Sequence, residues 1–370
     1  MIIYILTFAI SCLLTFIAEK YIIKNKKVFV LLSLMAILLP SIIAGVRDFT
    51  IGYDVQLYGV NQFQLAVYSD SFGEYRQTLN TDIGYAALNY LVSRFTDNAN
   101  WFLFWHEFII VLLVYLFAYG RREKHPMWLT MLAFFTIFYN ATFNLLRQSL
   151  AIAITIFGMK YAEDRKLLKF ILTIIIACMF HMTSIIVLPV YFLFGLEKSK
   201  KKIIYKTFLL LLIVFILPNF LGLVEGLVNM GLLSTRFLAY VDVYSQVETD
   251  FAYLDSLFRL AIIFVCIITY RSKIQFDSKN ATYIYMLIID FILLQLTLFF
   301  ENAQRLSFYY GFPALFYMIP QLSVGFKNNK QTRWVIILLT VLLLMIFWYI
   351  KYVYFRTSLT YPYTSTILGI

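Results

Sequence analysis

The sequence predicts an all-α polytopic integral membrane protein of about twelve transmembrane helices, one pair of them short or re-entrant. Of its 370 residues 62% are apolar and 14% charged, a balance that leaves a soluble domain too little polar surface to cover itself. The apolar residues gather into about a dozen runs, each near the roughly 20 residues a helix needs to cross the hydrocarbon. The runs are continuous rather than alternating, so they read as helices and not as barrel strands. No soluble domain, low-complexity tail or internal repeat stands out. The chain 1–370 therefore reads as a single transmembrane domain with outer loops at 47–98 and 224–250.

Taken in order, the spans fall near 1–19, 28–46, 99–119, 127–143, 145–162, 167–181, 183–196, 203–223, 251–270, 281–300, 306–324 and 333–355. The first begins directly with an apolar run and lacks a small-residue cleavage pattern, so it reads as an uncleaved span. Alternate connections are short and lysine-rich: Lys20 to Lys27, Arg121 to Lys124, Lys160 to Lys169, Lys198 to Lys206, Arg271 to Lys279 and Lys327 to Arg333. Together they hold 17 Lys and 5 Arg, or 22 of the 31 basic residues. The positive-inside rule puts these loops in the cytoplasm and both termini outside. It also accounts for the net charge of +11 without nucleic acid. Residues 167–196 have basic clusters on both flanks, so a helical hairpin with its tip at His181-Met182-Thr183 fits them better than one crossing. Cys12, Cys178 and Cys266 all lie in apolar runs and offer neither a disulfide framework nor a metal cluster.

The other basic residues are Arg47, Arg76, Arg94, Arg147, Arg236, Arg259, Arg305, Lys351 and Arg356. All but one are arginine, an asymmetry that orientation during insertion does not require. Guanidinium binds phosphate in a planar, bidentate way and keeps its proton, so the outer face suggests a phosphate or pyrophosphate ligand. Some of these arginines would instead pair with Asp242, Asp255 or Glu248.

Several constellations share that face. Arg47-Asp-Phe-Thr-Ile-Gly52-Tyr-Asp54, followed by Tyr58 and Phe63, opens the first outer loop. Gly52 would let the loop turn and bring Asp54 back towards Arg47, in a substrate site or a solvated salt bridge. Asp82-Ile-Gly84-Tyr85 leads into a short amphipathic surface helix ending at Arg94. Asn144-Leu-Leu-Arg147-Gln148 starts a span, where free N–H groups and an arginine make an anion site, although such an arginine also snorkels to headgroups. His181, with Ser184 one turn on, is a packing residue or a base at the tip of a broken pair. Glu301-Asn-Ala-Gln304-Arg305, with Tyr309 and Tyr310 beyond, offers a carboxylate and a guanidinium between two spans. Tyr361-Pro362-Tyr363 supplies aromatics that could stack on sugar rings. Asp255 and Arg259 are spaced for an intrahelical ion pair. Asp290 sits mid-span with nothing else ionisable expected at its depth, and reads as a protonated or hydrogen-bonded structural acid.

These landmarks resemble, in order and over nearly the whole chain, the EpsG family of Wzy-type polysaccharide polymerases. The resemblance runs through Arg47…Gly52-x-Asp54…Tyr58…Phe63, Gly84-Tyr85, Arg147-Gln148-x-x-Ala151, Phe180-His181-x-x-Ser184…Leu188-Pro189, Arg305 with Tyr309, and Pro362-Tyr363. Spacing in the 224–250 loop departs from the family pattern. The resemblance implies a GT-C-like architecture in a bacterial cytoplasmic membrane. It also implies a glycosyltransferase that joins undecaprenyl-pyrophosphate-linked oligosaccharide units at the outer face, as in capsule, exopolysaccharide or O-antigen assembly. The expected partners are the lipid-linked donor and acceptor, the bilayer, a chain-length regulator and a flippase, with no nucleic acid and no cofactor. On this reading Arg47, Arg147 and Arg305 bind the pyrophosphate, with Gln148, Tyr58, Glu301 and Tyr363 as further substrate contacts, and His181 or Asp54 is the base. No Asp-x-Asp pair stands on the outer face, so a metal-free site is expected. A glycan ligase with the same donor, a lipid-linked oligosaccharide flippase and a membrane O-acyltransferase are the competing readings. A flippase should carry its cations deep in a central cavity, and an acyltransferase would leave the outer arginines without a purpose.

Overall fold

The computed structural model describes residues 1–194, 226, 228–231, 249–271, 278–296, 302–324 and 330–370. Two compact units divide the chain, one formed by Met1–Ile185 with Ile319–Ile370 and the other by Ile186–Met318. Among the described residues the regular structure is helical throughout. Four helices are long and apolar enough to cross a membrane: Ile2–Tyr21, Lys26–Gly45, Ala99–Tyr119 and Gln331–Tyr354. They fit a multi-pass membrane protein.

In the first unit α1 (Ile2–Tyr21), α2 (Lys26–Gly45) and the outer-loop helices α3 (Val60–Tyr68), α4 (Phe72–Thr78) and α5 (Ile83–Ser93) are followed by α6 (Ala99–Tyr119). The next predicted span is α7 (Met127–Phe134), a π-helical turn (Phe135–Tyr139) and α8 (Asn140–Thr142). Then come α9 (Leu146–Glu163) and α10 (Leu167–Phe180). Pro40 inside α2 has no N–H for the Ala36 carbonyl. The Ser11 hydroxyl of α1 donates to that carbonyl instead, at 2.6 Å, restoring a bond that lipid could not supply. The small side chains Ser11, Ala18, Ser33 and Ala36 of these helices are all buried, and Ser33 accepts from the Tyr115 hydroxyl at 2.7 Å. Over them lies an aromatic core in which Phe8 stacks on Phe135 at 5.2 Å and meets Trp348 edge-on at 5.6 Å. Trp348 ends α15 (Lys330–Trp348), which continues as a π-helical turn, Tyr349–Tyr354.

The second half of the predicted hairpin is not one helix. After α10 the chain forms a 3₁₀ helix, Met182–Val187, and a four-residue helix, α11 (Val190–Leu193), behind Pro189. Pro189 has no N–H to donate and disfavours a helical Leu188 before it. The predicted span 203–223, most of the 224–250 loop, Arg236, Asp242 and Glu248 lie outside the described residues.

The second unit contains α12 (Thr249–Arg271), α13 (Ser278–Leu296) and most of α14 (Asn302–Val324). Arg259 Nη1 lies 2.6 Å from Asp255 Oδ1, the expected intrahelical pair. Its Nε also donates to Asp290 Oδ2 at 2.5 Å. The expectation that Asp290 lacks an ionisable neighbour at its depth is therefore corrected. Gly311 makes the approach possible, because a Cβ there would lie 2.4 Å from Asp290 Oδ1.

Candidate functional site at the outer-loop junction

The outer loop is seated on the first turn of α9 by two glycines. Gly52 has φ +94 and its N–H donates to the Leu359 carbonyl at 3.1 Å. A Cβ at this position would stand 2.2 Å from the Phe143 carbonyl oxygen, so the turn needs both the conformational freedom and the small size of glycine. Two residues later the Asp54 N–H donates to the Asn144 side-chain oxygen at 3.2 Å. The chain then enters a π-helical turn, Val55–Gly59, and a Cβ on Gly59 would meet the Leu146 side chain at 2.7 Å. Asp54 is thus turned towards Tyr58, whose hydroxyl donates to its carboxylate at 2.5 Å. Burial, reinforced by Asp54, pushes the Tyr58 phenol well above its ordinary value, so it keeps the donated proton.

A second docking point brings α5 to the end of α10. A Cβ on Gly84 would be 2.9 Å from the Met179 carbonyl oxygen. Asp82 takes the N-cap position of α5 with extended backbone, but its side chain makes no cap bond. Its Oδ2 lies 3.3 Å from Arg147 Nη1 and 3.8 Å from His181 Nδ1. His181 occupies the break itself: it ends α10 with φ −159 and ψ 115, and its carbonyl accepts from the Ser184 hydroxyl at 2.8 Å. Arg147, the second residue of α9, also lies over the Tyr58 ring at 5.1 Å. Exposure grades across the group, with 23% for Arg147, 13% for His181 and 6% for Asp82. The cation is therefore the member most open to an incoming anion.

Arg147, His181, Asp54 and Tyr58, widely separated in sequence, are thus brought together. Asp82 belongs with them and was not predicted as a site residue. Its signal was its place two residues before Gly84, yet only the docking of α5 on α10 brings it to Arg147 and His181. Gln148 follows Arg147 on α9 and is buried. Arg305 is exposed in the first turn of α14, in the other unit, and Glu301 lies outside the described residues.

Arg47 and Tyr363 lie elsewhere. Arg47 is 1% exposed, its guanidinium 4.0 Å above the Phe143 ring with Nη1 donating to the Ala44 carbonyl at 2.5 Å. The expected turn of Asp54 towards Arg47 is not what the chain adopts, because Gly52 presses the loop onto Phe143 and Asn144. Tyr363 points inward, donating to the Ile43 carbonyl at 2.8 Å and meeting Tyr4 edge-on at 5.5 Å. Other outer arginines also serve the fold. Arg94 reaches the Ala66 and Ser69 carbonyls at the end of α3, and Arg76 reaches the Thr81 carbonyl. Arginine enrichment alone therefore overstated the phosphate signal. A guanidinium with five donors is equally suited to closing the carbonyl ends of short helices.

Beneath the site, α6 carries two buried ionisable residues that sequence reasoning passed over, although an intramembrane acid is itself a signal. His106 Nε2 lies 2.7 Å from the Leu146 carbonyl, and the Thr142 hydroxyl lies 2.6 Å from Glu107 Oε2. Both contacts fall on the turn that delivers Arg147. Among the described residues, no cluster of His, Cys, Asp and Glu could hold a metal ion.

In comparisons with known proteins, no curated protein and no solved structure matches the chain. A family model does match it, over residues 30–365, which takes in the Gly52 turn, Asp82, Arg147, His181 and the Tyr363 segment. The chain belongs to the EpsG family.

Proposed function

We propose that this protein is a polysaccharide polymerase that joins lipid-pyrophosphate-linked oligosaccharide units at the extracytoplasmic face of a bacterial cytoplasmic membrane. In this reading the chain crosses about twelve times, in a GT-C-like arrangement. EpsG family membership suggests a polymerase-like membrane protein. The observation that carries the finer reading is the meeting of Arg147, Asp82 and His181 where the outer loop docks on two helix ends.

Arg147 receives the pyrophosphate of the donor chain through charge-assisted hydrogen bonds. Arg305, in the other unit, is a separate candidate for a phosphate contact. His181 accepts the proton of the acceptor's hydroxyl, a task for which an imidazole is a common choice. The freed oxygen attacks the donor's anomeric carbon, the bond from that carbon to the pyrophosphate oxygen breaks, and the lipid pyrophosphate departs. Arg147 stabilises the charge that develops on it. Asp54 and Tyr58 flank the guanidinium and set its position. Arg47 and Tyr363, both buried, support the loop from below and are not assigned to the substrate.

Replacing Arg147 with Ala should lower polymerisation by roughly 100- to 1,000-fold, the usual loss when one charge-stabilising donor is removed. High-molecular-weight polymer should disappear while single repeat units still reach their acceptor. Arg147→Lys should restore little, since a point charge does not replace the bidentate fork. A normal ladder of chain lengths from a stably expressed Arg147→Ala protein would overturn the assignment. Accumulated long polymer left unattached would indicate a ligase.

A further inference from the structure

One carboxylate oxygen of Asp82 faces both a guanidinium and an imidazole, and that arrangement suggests how the site responds to its substrate. Oδ2 is 3.3 Å from Arg147 Nη1 and 3.8 Å from His181 Nδ1. Asp82 holds Arg147 at the spot where an incoming phosphate would sit, and it carries the same sign of charge. The carboxylate stands at the N-cap position of α5, within reach of both neighbours. We propose that Asp82 is an internal stand-in for the substrate's pyrophosphate: the pyrophosphate displaces it from Arg147, and the released carboxylate then pairs with His181. The inference rests on the assignment of Arg147 as the anion site and adds an order of events.

In the resting protein Asp82 is paired with Arg147. Once the guanidinium is taken by pyrophosphate, the Asp82 charge falls on the imidazole. It favours the protonated ring and orients Nδ1–H, leaving Nε2 to accept the acceptor's proton. The base is thereby strengthened only when a donor is bound, and an empty site has no activated group with which to deprotonate water. The titratable and charged groups around His181 are Asp82 at the start of α5, Arg147 on α9 and Cys178 on its own helix. Tyr58, Tyr85 and Asp54 lie around Arg147. Asp82 lies within ion-pair reach of both Arg147 and His181.

The chain holds three histidines, and two of them, His106 and His125, are buried, so the titration of the His181 ring can be followed by nuclear magnetic resonance. The protein would be carbon-13-labelled at histidine, held in phosphatidylcholine nanodiscs, and assigned with His181→Gln. Inorganic pyrophosphate is expected to raise the pH at which His181 titrates by about one unit in the wild type. In Asp82→Asn, which removes the charge at nearly unchanged size, pyrophosphate should bind several-fold more tightly while the His181 titration stays put. In Arg147→Ala neither binding nor shift should survive. Replacing part of the phosphatidylcholine with phosphatidylglycerol should leave His181 unmoved, and a shift from that lipid alone would assign the site to membrane headgroups and overturn the proposal. An equal shift in Asp82→Asn and wild type, or weaker pyrophosphate binding in Asp82→Asn, would also overturn it while leaving the anion site intact. Failure of the wild type to bind pyrophosphate would remove the anion site itself.

Discussion

Arg94 illustrates how much of the outer loop rests on single guanidinium groups. Its Nη2 donates to the Ala66 carbonyl at 2.5 Å, its Nη1 to the Ser69 carbonyl at 3.1 Å, and its plane lies 4.4 Å over the Tyr90 ring. These acceptors are at and just beyond the C-terminal turn of α3, where helix carbonyls lack partners and carry partial negative charge. Replacing Arg94 with Ala should destabilise this corner by about 1–3 kcal/mol, the range for hydrogen bonds to charged groups. Lysine should not restore it, because one ammonium cannot reach both carbonyls in the geometry of a fork. Hydrogen exchange should report the loss as faster exchange through residues 66–72 in both variants. Unchanged protection in Arg94→Lys would show that charge alone suffices.

At the scale of an element, the start of α9 is the part on which the site depends. Its N-cap, Leu145, has no side chain that can accept from the exposed N–H groups. Contacts from α6 take over the work of fixing the turn. The 2.7 Å contact from His106 Nε2 to the Leu146 carbonyl requires the proton on that nitrogen, since a carbonyl only accepts. The acceptor belongs to the peptide unit that leads into Arg147, so the bond bears on the direction of the guanidinium. His106→Leu removes the donor and should lower polymer formation at least tenfold, whereas His106→Gln, which keeps an N–H donor, should recover much of it. Exchange of the 146–150 amides should follow the same order. Equal activity and protection in the leucine and glutamine variants would show that the ring only fills space. This helix start is also where sequence reading reached its limit. The position of the helix was legible from its apolar run, and Arg147 was legible as a cation at its outer end. The His106 contact was not, because it depends on the packing of two spans and leaves no local pattern.

For the molecule as a whole, the four membrane-length helices among the described residues were legible because a membrane forces apolar residues into long runs. The helices between Val55 and Thr78 were not, because they are short and mixed in polarity. Arg47 and Tyr363 were read as substrate contacts because sequence displays their chemistry and hides their burial. Asp82 was missed for the converse reason: its partners come from α9 and from the end of α10. The segment 357–370 shows how far apart in sequence such partners can be. Thr366 donates its N–H and its hydroxyl to Asp48 Oδ1 at 2.7 and 2.8 Å, and the Asp48 N–H donates to the Thr364 carbonyl at 3.1 Å. These bonds hold the Asp48 carboxyl below its ordinary value. A group depressed in this way stabilises the folded state above its unfolded value and loses that contribution as pH falls through the folded one. The tie between Asp48 and Thr366 should therefore be intact at neutral pH and released below about pH 4. Asp48→Asn should reproduce the release at neutral pH. Proteolysis within 357–370 is the measurement, and equal resistance of Asp48→Asn and wild type at pH 7 would refute the link.

The bond from Gly52 to the Leu359 carbonyl has a consequence in time as well as in space. About 300 residues separate its two ends, and ribosomes add roughly 5–20 residues per second. The loop that opens at Arg47 therefore leaves the ribosome some 15–60 s before the segment that closes its turn exists. During that interval Asp54 and Tyr58 lack part of the frame that seats them beside Arg147, so catalytic competence is deferred until the last segment has been inserted and threaded. On the proposed function, a ribosome that stalls after Trp348 should leave a membrane-inserted product without polymerase activity.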